Sequence, residues 1–179
     1  MVRAMNHEST NLSNDLKIVS SEISSQNDFA FYAGKWKIRV KKLKTRLKNS
    51  NDWVEQEATE EIRPILNGLG YIGQFQQTVN GLHYEGLAIH LFDPAAKLWS
   101  NLWADSNTGK LDPPVVGSFE KDNGVFYGKD RFDNKPIDVM FRWDLKDRNN
   151  PVWSQAFSAD SGKTWETNCY MYYSRLIGA

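Results

Sequence analysis

Trp99, Asn101, Trp103 and Asp105 alternate along one segment, so in an extended chain they share one face, with Leu98, Ser100, Leu102 and Ala104 on the other. Two indoles with an amide and a carboxylate between and beyond them suit a ligand wall. The rings offer apolar or aromatic surface, and the polar groups fix orientation. Either this face lines an interior, or Leu98 and Leu102 do and the tryptophans cover an outer face or an oligomer contact. Glu60 poses a second question. Alternation places it with Val54, Gln56, Ala58 and Ile62 on an inward face, where a carboxylate is costly unless hydrogen-bonded. Either it is a lumen residue near a ligand, or a bulge resets the register. Tyr127 shares a face with Val125, Lys129 and Arg131, and Gln155 lies between Trp153 and Phe157. Gln155 is either an interior donor and acceptor or part of an ordinary cross-strand bond. Glu60, Trp99, Asn101, Trp103, Asp105, Tyr127 and Gln155 are therefore the candidate ligand-binding residues.

Other chemistries find less support. His83 and His90 are seven apart and face opposite sides of one strand, His7 stands far away near the N-terminus, and no Cys/His cluster has zinc spacing. Cys169 is flanked by Tyr170, Met171, Tyr172 and Tyr173. A nucleophilic thiol needs a neighbouring base, and here a small packed residue is the simpler expectation. The chain has no Gly-x-Ser-x-Gly and no phosphate loop. Asp105, Asp130 and Glu60 are the carboxylates that folding can pair. No cofactor and no metal is expected.

The elements that must position these residues are strands. Trp36 to Lys41 alternates strictly, with Trp36, Ile38 and Val40 on one side and basic residues on the other. Trp53 to Ile62 carries Glu55, Glu57 and Glu61 on one face, which can meet Lys37, Arg39 and Lys41 across an antiparallel ladder. The basic run from Lys35 to Lys48 then reads as a paired, solvated outer face. Further strands are expected at Tyr71 to Thr78, Tyr84 to Phe92, Leu98 to Asp105, Val115 to Lys121, Val125 to Phe132, Pro136 to Leu145, Val152 to Ala159 and Trp165 to Leu176. Between them stand turn signals such as Asn80-Gly81, Asp122-Asn123-Gly124 and Asp160-Ser161-Gly162. Leu43 and Leu47 are spaced for one helical turn, with a continued strand and surface loop as the alternative. The pattern predicts an all-β fold of about ten strands, either a sandwich or a barrel.

Bulk composition narrows the partners. The chain has 179 residues, enough for one domain with a real core. Its 22 basic and 22 acidic side chains balance, so it presents no net field for nucleic acid or an anionic membrane. Aromatics make up 13% of the residues, seven of them Trp, which suits a thick core or a lined cavity. One cysteine excludes an intrachain disulfide and fits a reducing compartment. No apolar run is long enough to span a bilayer as a helix. Residues 1–28, rich in Ser and Asn, read as a polar tail or a short flanking helix, and residues 29–179 as the β-domain.

Phe29-x-Phe31-x-x-Gly34-Lys35-Trp36 opens the first strand, and Arg175 stands in the last. This resembles the calycin superfamily of lipocalins, fatty-acid-binding proteins and avidins. The resemblance implies a single antiparallel up-and-down barrel in which Gly34 and Trp36 start the first strand and Arg175 stacks on the indole to close the floor. Phe29 to Trp36, Leu91 to Pro94 with Trp99, Trp103 to Ser106, and Ser158 to Trp165 also resemble a family of uncharacterised bacterial calycin-like proteins, a domain of unknown function. That likeness implies a fold and no activity. One branch of such barrels binds haem through a single histidine and is marked by Gly-rich motifs that this chain lacks. Ser158 to Trp165 further fits the Asp-box pattern of sialidase-like propellers, but it occurs once, and it reads as a structural turn.

The expectation is a soluble, cytoplasmic barrel holding a small apolar or aromatic molecule in its lumen, as a monomer or homodimer. The alternatives are a small isomerase, cyclase or hydrolase whose buried carboxylate, Glu60 or Asp105, is raised in pKa, and a haem-binding or homodimeric interaction module.

Overall fold

The computed structural model describes residues 18–176. The first seventeen residues of the expected tail, with His7, lie outside that range. Ten strands follow in order: β1 (Gly34–Leu43), β2 (Trp53–Ile65), β3 (Gly70–Val79), β4 (Leu82–Asp93), β5 (Leu98–Asp105), β6 (Val115–Glu120), β7 (Asn123–Phe132), β8 (Lys135–Asp144), β9 (Val152–Ser158) and β10 (Glu166–Arg175). Each pairs antiparallel with its neighbours in sequence, and β1 also pairs with β10, so the sheet closes into one up-and-down barrel. Closure removes the two edge strands that an open sheet would have.

The turns do what their residues favour. Asn80 and Gly81 both take positive φ between β3 and β4, as a tight hairpin requires. At the β9–β10 turn the Asp160 carboxylate accepts from the Thr164 amide at 2.9 Å and the Thr164 hydroxyl at 2.6 Å, and Trp165 Nε1 donates to the Gly162 carbonyl. The Asp-box segment is thus a structural turn. Residues 44–48 form bends rather than a helical turn, which leaves the stretch after β1 as a loop.

Period-two alternation sets the core. Trp36, Ile38 and Val40 point inward from β1 and are buried, as are Ala58, Glu60 and Ile62 from β2. The outer faces of the same strands carry a charge ladder, with Lys35 in place of the expected Lys41, whose ammonium lies 5.3 Å over the Trp53 ring. Lys37 meets Glu57 at 2.7 Å, Arg39 meets Glu55 at 3.1 Å, and Lys35 meets Glu61 at 3.7 Å. Lys35 stands directly opposite Glu61, whereas the other two pairs run diagonally, because the register sets Lys37 opposite Thr59 and Arg39 opposite Glu57. All six side chains are about half exposed or more, so each pair is worth at most about 1 kcal/mol.

One end of the barrel is closed by the chain entering it. Residues Asp28–Tyr32 form a 3-10 helix that buries Phe29, Phe31 and Tyr32. Trp36 Nε1 donates to the Tyr32 carbonyl at 2.7 Å. Arg175 lies 4.1 Å over the Trp36 ring and donates to the carbonyls of Ala33, at 2.7 Å, and Phe31. One guanidinium thus stacks on an indole and satisfies helix-end carbonyls at once. Gly34 is needed beside it, since its φ is +122° and a Cβ would sit 2.8 Å from Arg175 Nη1. Before the helix, the Ser21 amide donates to Ser118 Oγ and Lys97 binds Glu22, so residues 21–24 lie across the same end.

Tight backbone approach between β6 and β7 gives a test of this packing. A Cβ on Gly117 would lie 2.0 Å from the Val125 carbonyl oxygen. Gly117→Ala should therefore lower stability by about 1–3 kcal/mol, read as a lower denaturation midpoint. An unchanged midpoint would mean that the two strands are further apart.

Candidate functional site

Above this floor the barrel encloses a cavity of about 700 Å³, within the range of small-molecule sites. Its walls include Phe75, Trp103, Phe126, Phe141, Trp153 and Phe157, and its inner end carries Tyr32, Glu60, His90 and Tyr173. The loops of the opposite end, with Lys42, Arg46, Asp105, Asp112, Asp130 and Arg131, form its mouth.

Glu60 is a lumen residue. The ladders on both sides of it run without a bulge, pairing it with Trp36 and Phe75. Its Oε2 accepts from the Tyr32 hydroxyl at 2.6 Å and the Tyr173 hydroxyl at 3.3 Å, and the two hydroxyls are 3.1 Å apart. Its Oε1 lies over Gly73, where a Cβ would come within 2.5 Å. Burial raises the carboxyl to about 7, although both phenols favour the charged form. Both phenols are themselves pushed well up, first by burial and then by the Glu60 charge.

His90 faces the same lumen from β4, with its ring 4.5 Å from Phe29 and 5.6 Å from Tyr32 between centroids. Asn101, opposite it on β5, donates its amide N–H to the Val115 carbonyl at 3.1 Å. That commits Asn101 Oδ1 to face His90 Nδ1, 2.5 Å away, so Nδ1–H is the donor and Nε2 carries the lone pair. Burial lowers His90 to about 4, against the favourable effect of the Asn101 bond. The imidazole is therefore neutral at pH 7, and Nε2 has no hydrogen-bond partner among the described residues. His83 faces outward to Glu85, 3.2 Å away.

The tryptophan face of β5 does point inward, which settles the choice between its two faces. The four residues nevertheless do different things. Trp103 alone forms cavity wall with its indole, lying over Gly86 and 5.8 Å from Phe75. Trp99 is a correction to the expected ligand wall. It is fully buried in the floor, edge-on to Phe29, and its Nε1 donates to Asp28 at 3.2 Å. Asn101 positions His90. Asp105 is at the mouth, where it accepts from the Tyr84 hydroxyl and from the Thr108 and Asn107 amides. Partial burial pulls its carboxyl up, but these bonds outweigh that and hold it low. This corrects the expectation of a raised Asp105, which is a turn anchor rather than an acid. Its neighbour Asp112 is the mouth carboxyl that is raised, by burial and by the charges of Asp130 and Asp105. Glu60 stands with tyrosines rather than with these acids.

Tyr127 is the second correction among the ligand candidates. It lies outside the barrel against Trp165, because Phe126 and Gly128 take the inward positions of β7. Gln155 faces the cavity, and its Nε2 donates to Asn168 Oδ1 at 2.8 Å; Asn168 is the extra residue of a bulge in β10. Cys169 is a buried thiol on the cavity side, pushed up to about 11 by burial despite Arg46 and Lys42 nearby, so it is no nucleophile at neutral pH. Among the described residues no group of three or more His, Cys, Asp or Glu side chains could hold a metal ion, and no helix is long and apolar enough to cross a membrane. Tyr32, Tyr173 and His90 are the site residues that sequence reasoning missed, along with the bond that joins His90 to the expected Asn101.

No curated protein matches the sequence. A family model does match, over residues 26–175, from the segment that closes the floor to the arginine stacked on it. The matched span takes in all ten strands and every polar residue of the inner cavity, and the chain belongs to the family described as protein of unknown function (DUF1579).

Proposed function

We propose that this protein is a soluble, intracellular carrier or sensor of a small, largely apolar or aromatic molecule. In this reading the molecule is held in the lumen of a calycin-type barrel. The observation that carries it is the pairing of a cavity of about 700 Å³ with one polar cluster at its closed end. Aromatic walls supply most of the binding by burial, and Glu60, Tyr32, Tyr173 and His90 orient the molecule. The calycin affiliation draws its support from Arg175 over Trp36 at the floor. Native mass spectrometry of protein purified without detergent, beside its denatured mass, is the test. A small-molecule adduct that leaves on denaturation is expected, and the same spectrum reports monomer or homodimer. A bare native mass, together with no binding of any apolar aromatic probe, would overturn the reading.

A second reading, a cavity enzyme working by proton transfer, is favoured by one arrangement. Glu60 holds a carboxyl near neutrality beside two phenols, at the end of the cavity where His90 keeps an unprotonated nitrogen. Turnover of a bound molecule that Glu60→Gln abolishes, with affinity retained, would move the assignment to this class.

A further inference from the structure

We infer that the closed end of the cavity selects ligands that carry a hydroxyl, donating its proton to His90 Nε2, on an aromatic body. This inference rests on the lumen-binding reading and names the ligand class for it.

The argument starts from hydrogen-bond satisfaction. His90 is 7% exposed and lines the cavity, and its Nε2 atom is buried without a partner among the described residues. A buried polar atom left in that condition costs free energy, and native structures rarely tolerate it without a reason. The ring cannot turn to relieve it. Asn101 already gives its amide N–H to Val115, so its Oδ1 can only accept, and the short bond to Nδ1 fixes the tautomer. Phe29 packs against the imidazole and holds its plane. What remains at Nε2 is an acceptor in the neutral protein, so the complementary group is a donor.

The surrounding groups narrow that donor further. Glu60 lies at the same end of the cavity, bridged to His90 by Tyr32, which bonds the carboxylate and packs edge-on to the imidazole. A ligand carboxylate there would meet a second carboxyl and a lone pair. A hydroxyl avoids that repulsion and gives its proton to His90. Gly73, under Glu60 Oε1, keeps that side free of a further side chain. Beyond this end the walls are aromatic, with Phe75 and Trp103 edge to face, which suits a flat ring.

The full-length protein should be titrated by fluorescence with 1-hydroxypyrene and with 1-methoxypyrene. These share one aromatic body and differ in the ability to donate. Binding of the hydroxyl probe is expected to be tighter by about tenfold or more, since the ether leaves Nε2 unpaired. In His90→Phe the two affinities should converge, largely through weaker binding of the hydroxyl probe. Nitrogen NMR of the wild-type histidines gives a reading that needs no variant. The unprotonated His90 nitrogen should shift as an acceptor does with 1-hydroxypyrene and stay in place with 1-methoxypyrene. Equal affinities with no such shift would overturn this inference and leave the lumen-binding reading standing. A preference that survives in folded His90→Phe would overturn it too. Failure of both probes to bind the wild-type protein would overturn this inference, and only a bare native mass beside it would overturn the lumen-binding reading as well.

Discussion

Trp36→Ala should lower the stability of the fold by about 3–5 kcal/mol, the range for deleting a fully buried large aromatic. The indole is 0% exposed, and four interactions meet on it. Its Nε1 donates to Tyr32, Arg175 lies over its face, and the rings of Tyr32 and Tyr173 pack at 6.3 and 5.8 Å. Removing it leaves a cavity in the floor and withdraws the surface on which the guanidinium rests. The effect should reach the ligand end as well, since Tyr32 and Tyr173 hold Glu60. Trp36→Phe keeps a ring under Arg175 and loses the hydrogen bond, so it should cost distinctly less, about 1–2 kcal/mol. Urea titrations of the three proteins would check the order. A Trp36→Ala protein as stable as the wild type would refute the role of this residue in closing the barrel.

The second large effect concerns pH. Glu60 is raised by burial from 4.5 to about 7. Between these values the unfolded chain gives up the proton and the folded chain keeps it. Stability from this group is therefore full below pH 4.5 and falls as pH rises to 7, by about 3 kcal/mol. His90 runs the other way. It is lowered by burial from 6.5 to about 4, so the unfolded chain takes up a proton that the folded chain refuses. Its contribution is full above pH 6.5 and is lost as pH falls to 4, again by about 3 kcal/mol. From pH 4.5 to 6.5 the two slopes oppose each other and nearly cancel.

Substitution should expose the hidden slopes. In Glu60→Gln the amide oxygen can still accept from both phenols, and no proton is left to lose. Its stability minus that of the wild type should therefore rise by about 3 kcal/mol from pH 4.5 to 7. In His90→Phe the Glu60 slope stands alone, and stability should fall over the same interval. Denaturant midpoints at four or five pH values would show both trends. A difference between Glu60→Gln and wild type that does not change with pH would mean that the buried carboxyl titrates normally.

Much of this fold is legible residue by residue. Ten segments alternate with period two and end in Asn, Asp, Gly and Pro turns, and all ten are strands, because turn chemistry and alternation are local. Locality also explains the outer ladder of β1 and β2, since a hairpin fixes which residues oppose one another. The His90–Asn101 pair was within reach by the same logic. The turn between Asp93 and Leu98 sets Phe92 opposite Trp99 and therefore His90 opposite Asn101. Weighing the histidine only as a metal ligand hid that signal.

What the sequence by itself determined is parity: which residues share a face, and that Trp99, Asn101, Trp103 and Asp105 do. It could not determine which face is the lumen, because that follows from closing β1 on β10, a contact between residues more than a hundred positions apart. Nor does parity tell depth. Trp99 and Trp103 share a face, yet one is sealed against Phe29 in the floor and the other lines the cavity, because the 3-10 helix Asp28–Tyr32 fills only one end. Glu60 shows the same division. Alternation puts it inside, but the two phenols that make its burial tolerable come from Tyr32, before the first strand, and Tyr173, in the last. Only the closed barrel brings those oxygens within reach of the carboxylate, and with them the chemistry of the site.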